Sequence, residues 1–222
     1  MPFQWGVNPR IRGVGTPFTA CAGRYGHIVT DRQADTRVPI LPVIAARWSP
    51  RAFDPSFDIS AEQVTALLEA ARWAATWGRR QPVRFVVGIR DDETFGKLAE
   101  LLKPGNSYAK AASALILVVT DEGEDENTAT YAALDAGAAI AQLTIEAVSR
   151  SLIAHPMAGF DAEGARRVFE LPDSVRPLAV VAVGRLGEYL NPEIAARDSK
   201  PRQRKPLEDI AFAGTWGQPF QT

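Results

Sequence analysis

Two arginine-rich segments lie far apart in the sequence, and both carry groups suited to binding phosphate. The first, residues 47–51 (RWSPR), places two guanidiniums and a hydroxyl within five residues, and the second, residues 200–207 (KPRQRKPL), contains two further arginines. Arginine can bind phosphate oxygens in bidentate fashion, and serine can add a hydrogen-bond donor. Each segment taken singly is more simply explained as a solvated basic loop or tail.

Two other segments combine turn residues with polar side chains. Residues 73–85 (WAATWGRRQPVRF) have the pattern of a helix end that passes through a turn into a strand, and their threonine, arginine and glutamine could face a polar ligand or could simply be exposed to solvent. Residues 155–160 (HPMAGF) include Gly159, which lets a backbone N–H approach a flat ligand closely. Taken alone, this second segment is more simply explained as a plain turn.

The composition of the 222 residues argues against several classes of protein. The formal net charge of −1 provides no general attraction for nucleic acid or for an anionic membrane. A single cysteine, Cys21, and two histidines, His27 and His155, provide neither an internal disulfide nor a zinc cluster, so we expect no metal. The apolar run at 111–120 is shorter than the roughly 20 residues that span a bilayer. We therefore expect a cytoplasmic protein without a nucleic-acid or membrane partner.

Helical and strand patterns alternate from about residue 45 onward. Residues 1–44 lack periodicity, so we expect an irregular arm there and one domain with an extended C-terminal tail over residues 45–222. Ser60 and Gln63 have the spacing of a capping box. Periodicity alone favours a doubly wound sheet. The predicted helices span 61–75, 92–103, 128–151 and a stretch after 161, and the predicted strands span 84–90, 114–120 and 176–185.

The predicted helix at 128–151 is apolar on nearly every side. A helix with apolar residues all round is expected to be buried all round. In a chain of this size, a second subunit is the simplest cover for the far face. This pattern therefore predicts a dimer.

Taken together and in their order along the chain, the four segments resemble the nitroreductase family of FMN enzymes over roughly residues 45–217. The matching motifs are Arg-x-Ser-x-Arg-x-Phe, Gln-Pro-x-x-Phe, Pro-x-x-Gly-Phe and Arg-x-Pro-Leu. No single motif is decisive, but all four in the family's order make a specific match. The resemblance implies an α+β fold of three layers, in which helices and a long central helix pack on a mixed, mainly antiparallel sheet, and it implies an intertwined homodimer with FMN at the interface.

The resemblance also implies a role for each matching position. Arg47, Trp48 and Ser49 are expected to hold the ribityl phosphate from one side and the C-terminal arginines from the other, while Arg51 lies near the pyrimidine edge of the flavin. A backbone N–H of the 156–159 turn is expected to face flavin N5. The 76–81 segment is expected to reach the flavin of the partner subunit. The full set of expected cofactor contacts is Arg47, Trp48, Ser49, Arg51, Thr76, Trp77, Arg79, Gln81, Pro156, Met157, Ala158, Gly159, Arg202 and Arg204.

The chain departs from the family pattern in the segment that precedes the first strand. Arg79 stands where family members usually carry asparagine, Val83 where they usually carry tryptophan, and residues 75–76 (Ala-Thr) replace Pro-Ser. Arg79 can still donate to a flavin oxygen, but it adds bulk and charge. These departures leave the substrate open.

The implied activity is transfer of electrons from NAD(P)H through FMN to an electron-poor small molecule, such as a nitroaromatic, quinone or enone, by a ping-pong mechanism. No side chain is assigned as catalytic, because the chemistry takes place at flavin N5 and His155 beside the turn is more simply structural. One alternative is a flavoenzyme with a dedicated substrate, suggested by Arg79 and the long arm. The other is a non-catalytic flavin-binding or sensing protein, suggested by the altered 75–79 turn.

Overall fold

The computed structural model describes residues 32–221, so the expectations that concern residues 1–31, including Cys21 and His27, lie outside the described residues. The described chain forms three layers, with helices on both faces of a four-stranded sheet. The helices are α1 (Pro42–Ala46), α2 (Ala61–Arg72), α3 (Glu93–Leu101), α4 (Glu126–Ser149), α5 (Ala162–Val168) and α6 (Pro192–Asp198), and the strands are β1 (Val83–Ile89), β2 (Ala114–Asp121), β3 (Ile153–Met157) and β4 (Val175–Gly184).

The sheet has the strand order β1-β2-β4-β3, and each neighbouring pair is antiparallel. The doubly wound sheet that periodicity alone favours is therefore wrong, and the α+β fold implied by the family resemblance is confirmed. The error has a physical reason. Hydrophobic periodicity reports how a strand is buried, and a strand buried on both faces has the same pattern in either direction.

Strand β2 lies in the middle of the core, because both of its faces are covered. Leu115 and Leu117 pack in the apolar cluster formed with α3 and α5. Ile116 and Val118 point the other way and pack in the cluster formed with α2 and α4. Alternate residues of a strand face opposite sides of the sheet, so an uninterrupted apolar run belongs in the central layer.

Side-chain caps mark the start of α2, α3 and α4. The predicted capping box is confirmed: the Gln63 amide donates to Ser60 Oγ at 3.1 Å, and the Ser60 amide donates to Gln63 Oε1 at 2.9 Å. Asp92 and Asp125 cap α3 and α4 by accepting a hydrogen bond from a backbone amide of the first turn. These local bonds satisfy donors that a helix leaves unpaired at its start.

Helix α4 is buried along one side only within this chain. Leu143 is fully buried against the sheet, whereas the side chain of Leu134 is 69% exposed and that of Tyr131 is 37% exposed. The expectation of burial all round is therefore not met by one subunit. Among residues 32–221, no helix is both long and apolar enough to cross a membrane.

Three elements were not predicted from the sequence. Residues 155–157, part of the 155–160 segment expected to form a turn, belong instead to strand β3 at the edge of the sheet, and the tail expected to be extended contains α6. Helix α1 lies within the expected irregular arm. All three are seven residues or shorter, so few positions are available to establish a period.

Gly88 in β1 allows α3 to pack closely on the sheet. A Cβ at this position would lie 2.4 Å from the backbone nitrogen of Phe95. We expect Gly88→Ala to lower the free energy of unfolding by about 1–3 kcal/mol, because α3 must move away from β1. Gly96→Ala in α3 is the control: a Cβ there meets nothing within 4 Å, and the loss of glycine should stabilise the helix by up to about 1 kcal/mol. Urea denaturation measures both changes, and wild-type stability in Gly88→Ala would contradict this packing.

Candidate functional site

The two arginine-rich segments of the sequence meet in the folded chain. Residues 47–51 follow α1, and the tail brings residues 202–204 back alongside them. A groove of about 800 Å³ opens at this meeting point, between residues 34–44 of the arm and residues 202–210 of the tail. The predicted phosphate-binding residues Arg47, Arg202 and Arg204 all line it.

Arg202 is bound to the backbone. Its Nη1 donates to the carbonyl oxygens of Ala45 at 2.9 Å and Arg32 at 2.6 Å, and its Nη2 donates to the carbonyl oxygen of Arg47 at 2.9 Å. Burial, followed by the charges of Arg47 and Arg204, lowers its pKa. Arg202 therefore holds the tail against the 45–47 backbone, a role that the sequence did not reveal.

Arg47 and Arg204 provide the charge that is available to an anion. Burial and the nearby charge of Arg204 lower the pKa of Arg47. Arg47 donates to Ser49 Oγ at 3.5 Å, and Arg204 donates to the carbonyl oxygen of Gln203 at 2.8 Å. Within residues 32–221, neither guanidinium forms an ion pair with a carboxylate. Two like charges without a counter-ion are suited to binding an anion.

Trp48 adds an unpaired donor to the same region. Its indole Nε1 is buried and has no hydrogen-bond partner among the described residues, while its ring lies under the guanidinium of Arg32 at 4.6 Å. An unpaired buried donor is costly unless a bound group accepts from it. Trp48 and Ser49 thus carry further donors in the same segment as Arg47, although only Arg47 of the three lines the groove.

Arg51 has a counter-ion within the chain. Its backbone amide donates to Asp198 Oδ2 at 2.7 Å, and its guanidinium forms an ion pair with the same carboxylate. The hydroxyl of Tyr189 also donates to Asp198, at 2.9 Å. Nothing in the sequence pointed to Asp198, since a lone aspartate near a helix end has no motif. The positive charge of Arg51 is thus balanced within the chain.

The 156–159 turn has two free backbone donors. Pro156 and Met157 end strand β3, and the amides of Ala158 and Gly159 donate to no group within residues 32–221. The carbonyl oxygen of Gly159 is held in place, because it accepts from the Lys103 amide at 3.0 Å and from the Asn106 side chain at 2.8 Å. Both free amides belong to a turn whose backbone is held by its neighbours.

His155 links strand β3 to the first arginine segment. Its Nδ1 lies 2.9 Å from the carbonyl oxygen of Pro50, and its Nε2 lies 3.1 Å from the hydroxyl of Tyr108. Burial is the main cause that lowers the pKa of His155, so the ring is neutral near pH 7. These contacts fit the structural role expected from the sequence, and they bring the 156–159 turn close to residues 47–51.

The fourth predicted segment lies elsewhere in the chain. The amide of Trp77 donates to both carboxylate oxygens of the buried Asp135, at 3.1 and 3.2 Å, and its ring stacks on Tyr131 of α4 with centroids 5.0 Å apart. Thr76 and Gln81 line a second cavity of about 520 Å³ between α2 and β1. Among the described residues, no hydrogen bond, ion pair or ring contact joins residues 76–81 to the other three segments.

Residues 78–81 have an unusual backbone. Gly78, Arg79 and Gln81 have φ values of 55°, 61° and 52°, in the left-handed region. Non-glycine residues rarely adopt this conformation, and such positions cluster at functional sites. The strain coincides with Arg79, the residue that departs from the family pattern.

The low pKa of His155 makes stability depend on pH. Because the folded pKa lies below the ordinary value of about 6.5, the unfolded chain takes up more protons as the pH falls through that value. The free energy of unfolding should then decrease, by at most about 1.4 kcal/mol per pH unit from this group. We expect His155→Gln to flatten this dependence between pH 7.5 and 5.5 in urea denaturation. An equally steep dependence in the variant would assign the effect to other groups.

Comparisons with known proteins agree with this architecture. The chain matches the sequence model of the nitroreductase family over residues 44–122 and 102–185. It is 65% identical over 148 residues to an uncharacterised 15.4 kDa protein of Mycolicibacterium smegmatis, a match that covers 62% of this chain and all of that protein. It is 26% identical over 210 residues to a Bacillus subtilis protein named as an NAD(P)H nitroreductase, covering 77% of this chain and 95% of that one.

A solved structure shows the same fold. The crystal structure of an oxidoreductase containing FMN superposes with a TM-score of 0.78 at 32% sequence identity, and the match covers 85% of this chain and 98% of the other. The family's sequence motifs, the three-layer α+β fold and this structural match all agree. The chain belongs to the nitroreductase family of oxidoreductases.

Proposed function

We propose that this protein binds FMN and uses NAD(P)H to reduce an electron-poor small molecule, such as a nitroaromatic, quinone or enone, by a ping-pong mechanism. Membership of the nitroreductase family supports NAD(P)H-dependent oxidoreduction in general, and the similar FMN-containing oxidoreductase supports the cofactor. The class of acceptor and the ping-pong order are the finer parts of the proposal.

The observation that carries the proposal is the uncompensated charge of Arg47 and Arg204. The chemistry of this donor set fits a phosphate monoester, which carries close to two negative charges and accepts several hydrogen bonds. Ser49 and the unpaired indole N–H of Trp48 can add donors from the same segment. Arg202 contributes mainly by fixing the backbone that carries these groups.

The free amides of Ala158 and Gly159 fit the other end of the cofactor. Bound FMN would supply N5, the atom that takes hydride from NAD(P)H and passes electrons on. A backbone N–H at N5 needs no titratable side chain, so its hydrogen bond persists at any working pH. Pro156 and Met157 are the last residues of β3, so they place these amides directly after the end of the strand. Arg51 would lie near the pyrimidine edge, with its charge moderated by Asp198.

We place the complete site between two subunits. Thr76, Trp77, Arg79 and Gln81 do not reach the other three segments within one chain, so in this proposal they contact the flavin of the partner subunit. The exposed apolar side of α4 supports a homodimer, because it includes Leu134 and Tyr131 and lies next to this segment. Burial of these side chains would contribute to dimer stability.

The proposed domain organisation keeps residues 45–222 as the FMN-binding domain and residues 1–44 as an arm. The described end of the arm packs on α1 and on the tail: the Ala34 amide donates to the carbonyl oxygen of Ala45 in α1 at 2.9 Å, and Arg37 forms an ion pair with Glu208 of the tail. Residues of the arm also line the groove beside Arg47. The arm thus forms one wall of the proposed phosphate site.

A dedicated substrate is the second candidate function. The strained backbone at Arg79 favours it, because a bulky cation in that turn would restrict what reaches the flavin. Fast and unselective turnover of simple quinones would count against this candidate.

A flavin-binding protein without catalysis is the third candidate function, and it requires that reduced nicotinamide leave the bound flavin oxidised.

The visible absorption spectrum tests the proposed function directly. We expect the purified protein to carry flavin bands that bleach on anaerobic addition of NADPH or NADH, and the released cofactor to have the mass of FMN. Bleaching would exclude the non-catalytic reading. A colourless protein that takes up no added FMN would contradict the proposed function.

Substitutions in the groove should separate anion binding from structural support. We expect Arg47→Ala and Arg204→Ala to weaken FMN binding by roughly 10–100-fold, since a hydrogen bond to a charged group contributes about 1.5–3 kcal/mol. Arg202→Ala should instead lower the melting temperature of the apoprotein, because three backbone carbonyl groups lose their donor. Arg167→Ala, on the exposed side of α5, is the matched control and should change neither property.

Fluorescence titration with FMN and thermal unfolding of the apoprotein provide the two readouts. Wild-type FMN affinity in both Arg47→Ala and Arg204→Ala would contradict the placement of the phosphate. An Arg202→Ala protein with unchanged stability and weakened FMN binding would show that this guanidinium is a direct ligand.

A further inference from the structure

We propose that Asn106 and Tyr108 are positioning residues, which hold the amides of Ala158 and Gly159 in register with residues 47–51. Both lie in the 3₁₀ segment Pro104–Ala111, outside the four sequence motifs. The inference rests on the proposed function, because it takes the free amides to face flavin N5. Through these two residues, the chain would keep residues 47–51 and the free amides at a fixed separation.

The first link joins Asn106 to the turn. Its side-chain Nδ2 donates to the Gly159 carbonyl oxygen at 2.8 Å, and the Lys103 amide donates to the same oxygen at 3.0 Å. Two donors on one carbonyl fix the orientation of the peptide that follows Gly159. A Cβ at Gly159 would lie 2.5 Å from Asn106 Nδ2, so the glycine is needed for this contact. Asn106 thereby limits how far the free amides can rotate.

The second link joins Tyr108 to the first arginine segment through His155. The Pro50 carbonyl oxygen can only accept, so the proton of His155 is on Nδ1, 2.9 Å away. Burial lowers the pKa of His155, and the neutral ring then has Nε2 as an acceptor. The Tyr108 hydroxyl must therefore donate to Nε2, at 3.1 Å. Burial raises the pKa of Tyr108 to about 12, so this proton is retained.

A contact between Tyr108 and Asn106 joins the two links. The Tyr108 hydroxyl also lies 3.3 Å from Asn106 Oδ1, so its proton can be shared between His155 and Asn106. A continuous chain of contacts thus runs from Pro50 through His155, Tyr108 and Asn106 to Gly159. Pro50 lies within the segment assigned to the phosphate and pyrimidine ends, and Gly159 belongs to the turn assigned to N5. The chain of contacts therefore spans the proposed site from one end to the other.

The test measures the hydrogen bond at N5 itself. Protein loaded with ¹⁵N-labelled FMN gives an N5 resonance whose position reports whether a donor is present. In Asn106→Ala and Tyr108→Phe we expect this resonance to move towards that of flavin without a hydrogen bond at N5, with the larger shift in Asn106→Ala. Ser107→Ala is the matched control: its exposed side chain has no hydrogen bond within residues 32–221, and the resonance should remain at the wild-type position.

A kinetic readout complements the resonance. A misplacement of about 1 Å can cost up to about 100-fold in rate, so we expect flavin reduction by NADPH to slow by about tenfold or more in Asn106→Ala. The affinity for FMN should change little, because Arg47 and Arg204 remain in place. Tyr108→Phe keeps the shape of the side chain, which protects the test if Asn106→Ala fails to fold.

A double-mutant comparison tests the contact at Gly159. Gly159→Ala should displace Asn106 and shift the N5 resonance in the wild-type background, whereas in the Asn106→Ala background the same change should add little. Additive shifts would overturn the coupling between the two residues.

The outcomes separate this inference from the function on which it rests. If wild-type protein binds FMN and is reduced by NADPH, but Asn106→Ala and Tyr108→Phe keep the wild-type N5 resonance, the positioning role is wrong and the proposed function stands. If wild-type protein binds no FMN, both are wrong.

Discussion

The guanidiniums of Arg47 and Arg204 lie close enough for the charge of Arg204 to lower the pKa of Arg47. No carboxylate of residues 32–221 forms an ion pair with either guanidinium. Like charges at this separation repel, so other contacts must hold them together. Arg202 does so by donating to three backbone carbonyl groups on the arm side of the groove. The path of the tail and one wall of the groove follow from these bonds. A bound phosphate would remove the repulsion that the free protein retains.

The antiparallel sheet brings the second half of the proposed site to the first. Strand β3 pairs with β4 at the sheet edge and carries His155, which contacts the Pro50 carbonyl oxygen. That contact ties the strand that leads to the free amides of Ala158 and Gly159 to the arginine segment. Asp198 adds a second connection, because it binds both the backbone and the side chain of Arg51. The tail, the sheet edge and the 47–51 segment therefore support one another.

The 76–81 segment does not contact the other three segments, and its position is informative about assembly. Residues 76–81 are held against α4 through Asp135 and Tyr131, away from the arginines and the turn. Their left-handed backbone at Arg79 and Gln81 is strained, and strain of this kind persists only where surrounding contacts maintain it. The neighbouring apolar face of α4 is exposed in one chain. A second subunit on this face would bury the apolar surface and supply the missing segment of each site.

The sequence by itself determined the local features and the family. The Ser60–Gln63 cap and the apolar run of β2 depend on neighbouring residues, so their patterns are visible in one dimension, and the four motifs in order identified the nitroreductase family. Periodicity could not decide strand direction, because burial patterns are the same for parallel and antiparallel strands; the resemblance implied a mainly antiparallel sheet, and the tertiary structure established it. It also decided that Arg202 binds backbone, that Asp198 balances Arg51 and that Asn106 holds Gly159. These contacts join residues 53 to 170 positions apart, and no local pattern records such a pairing.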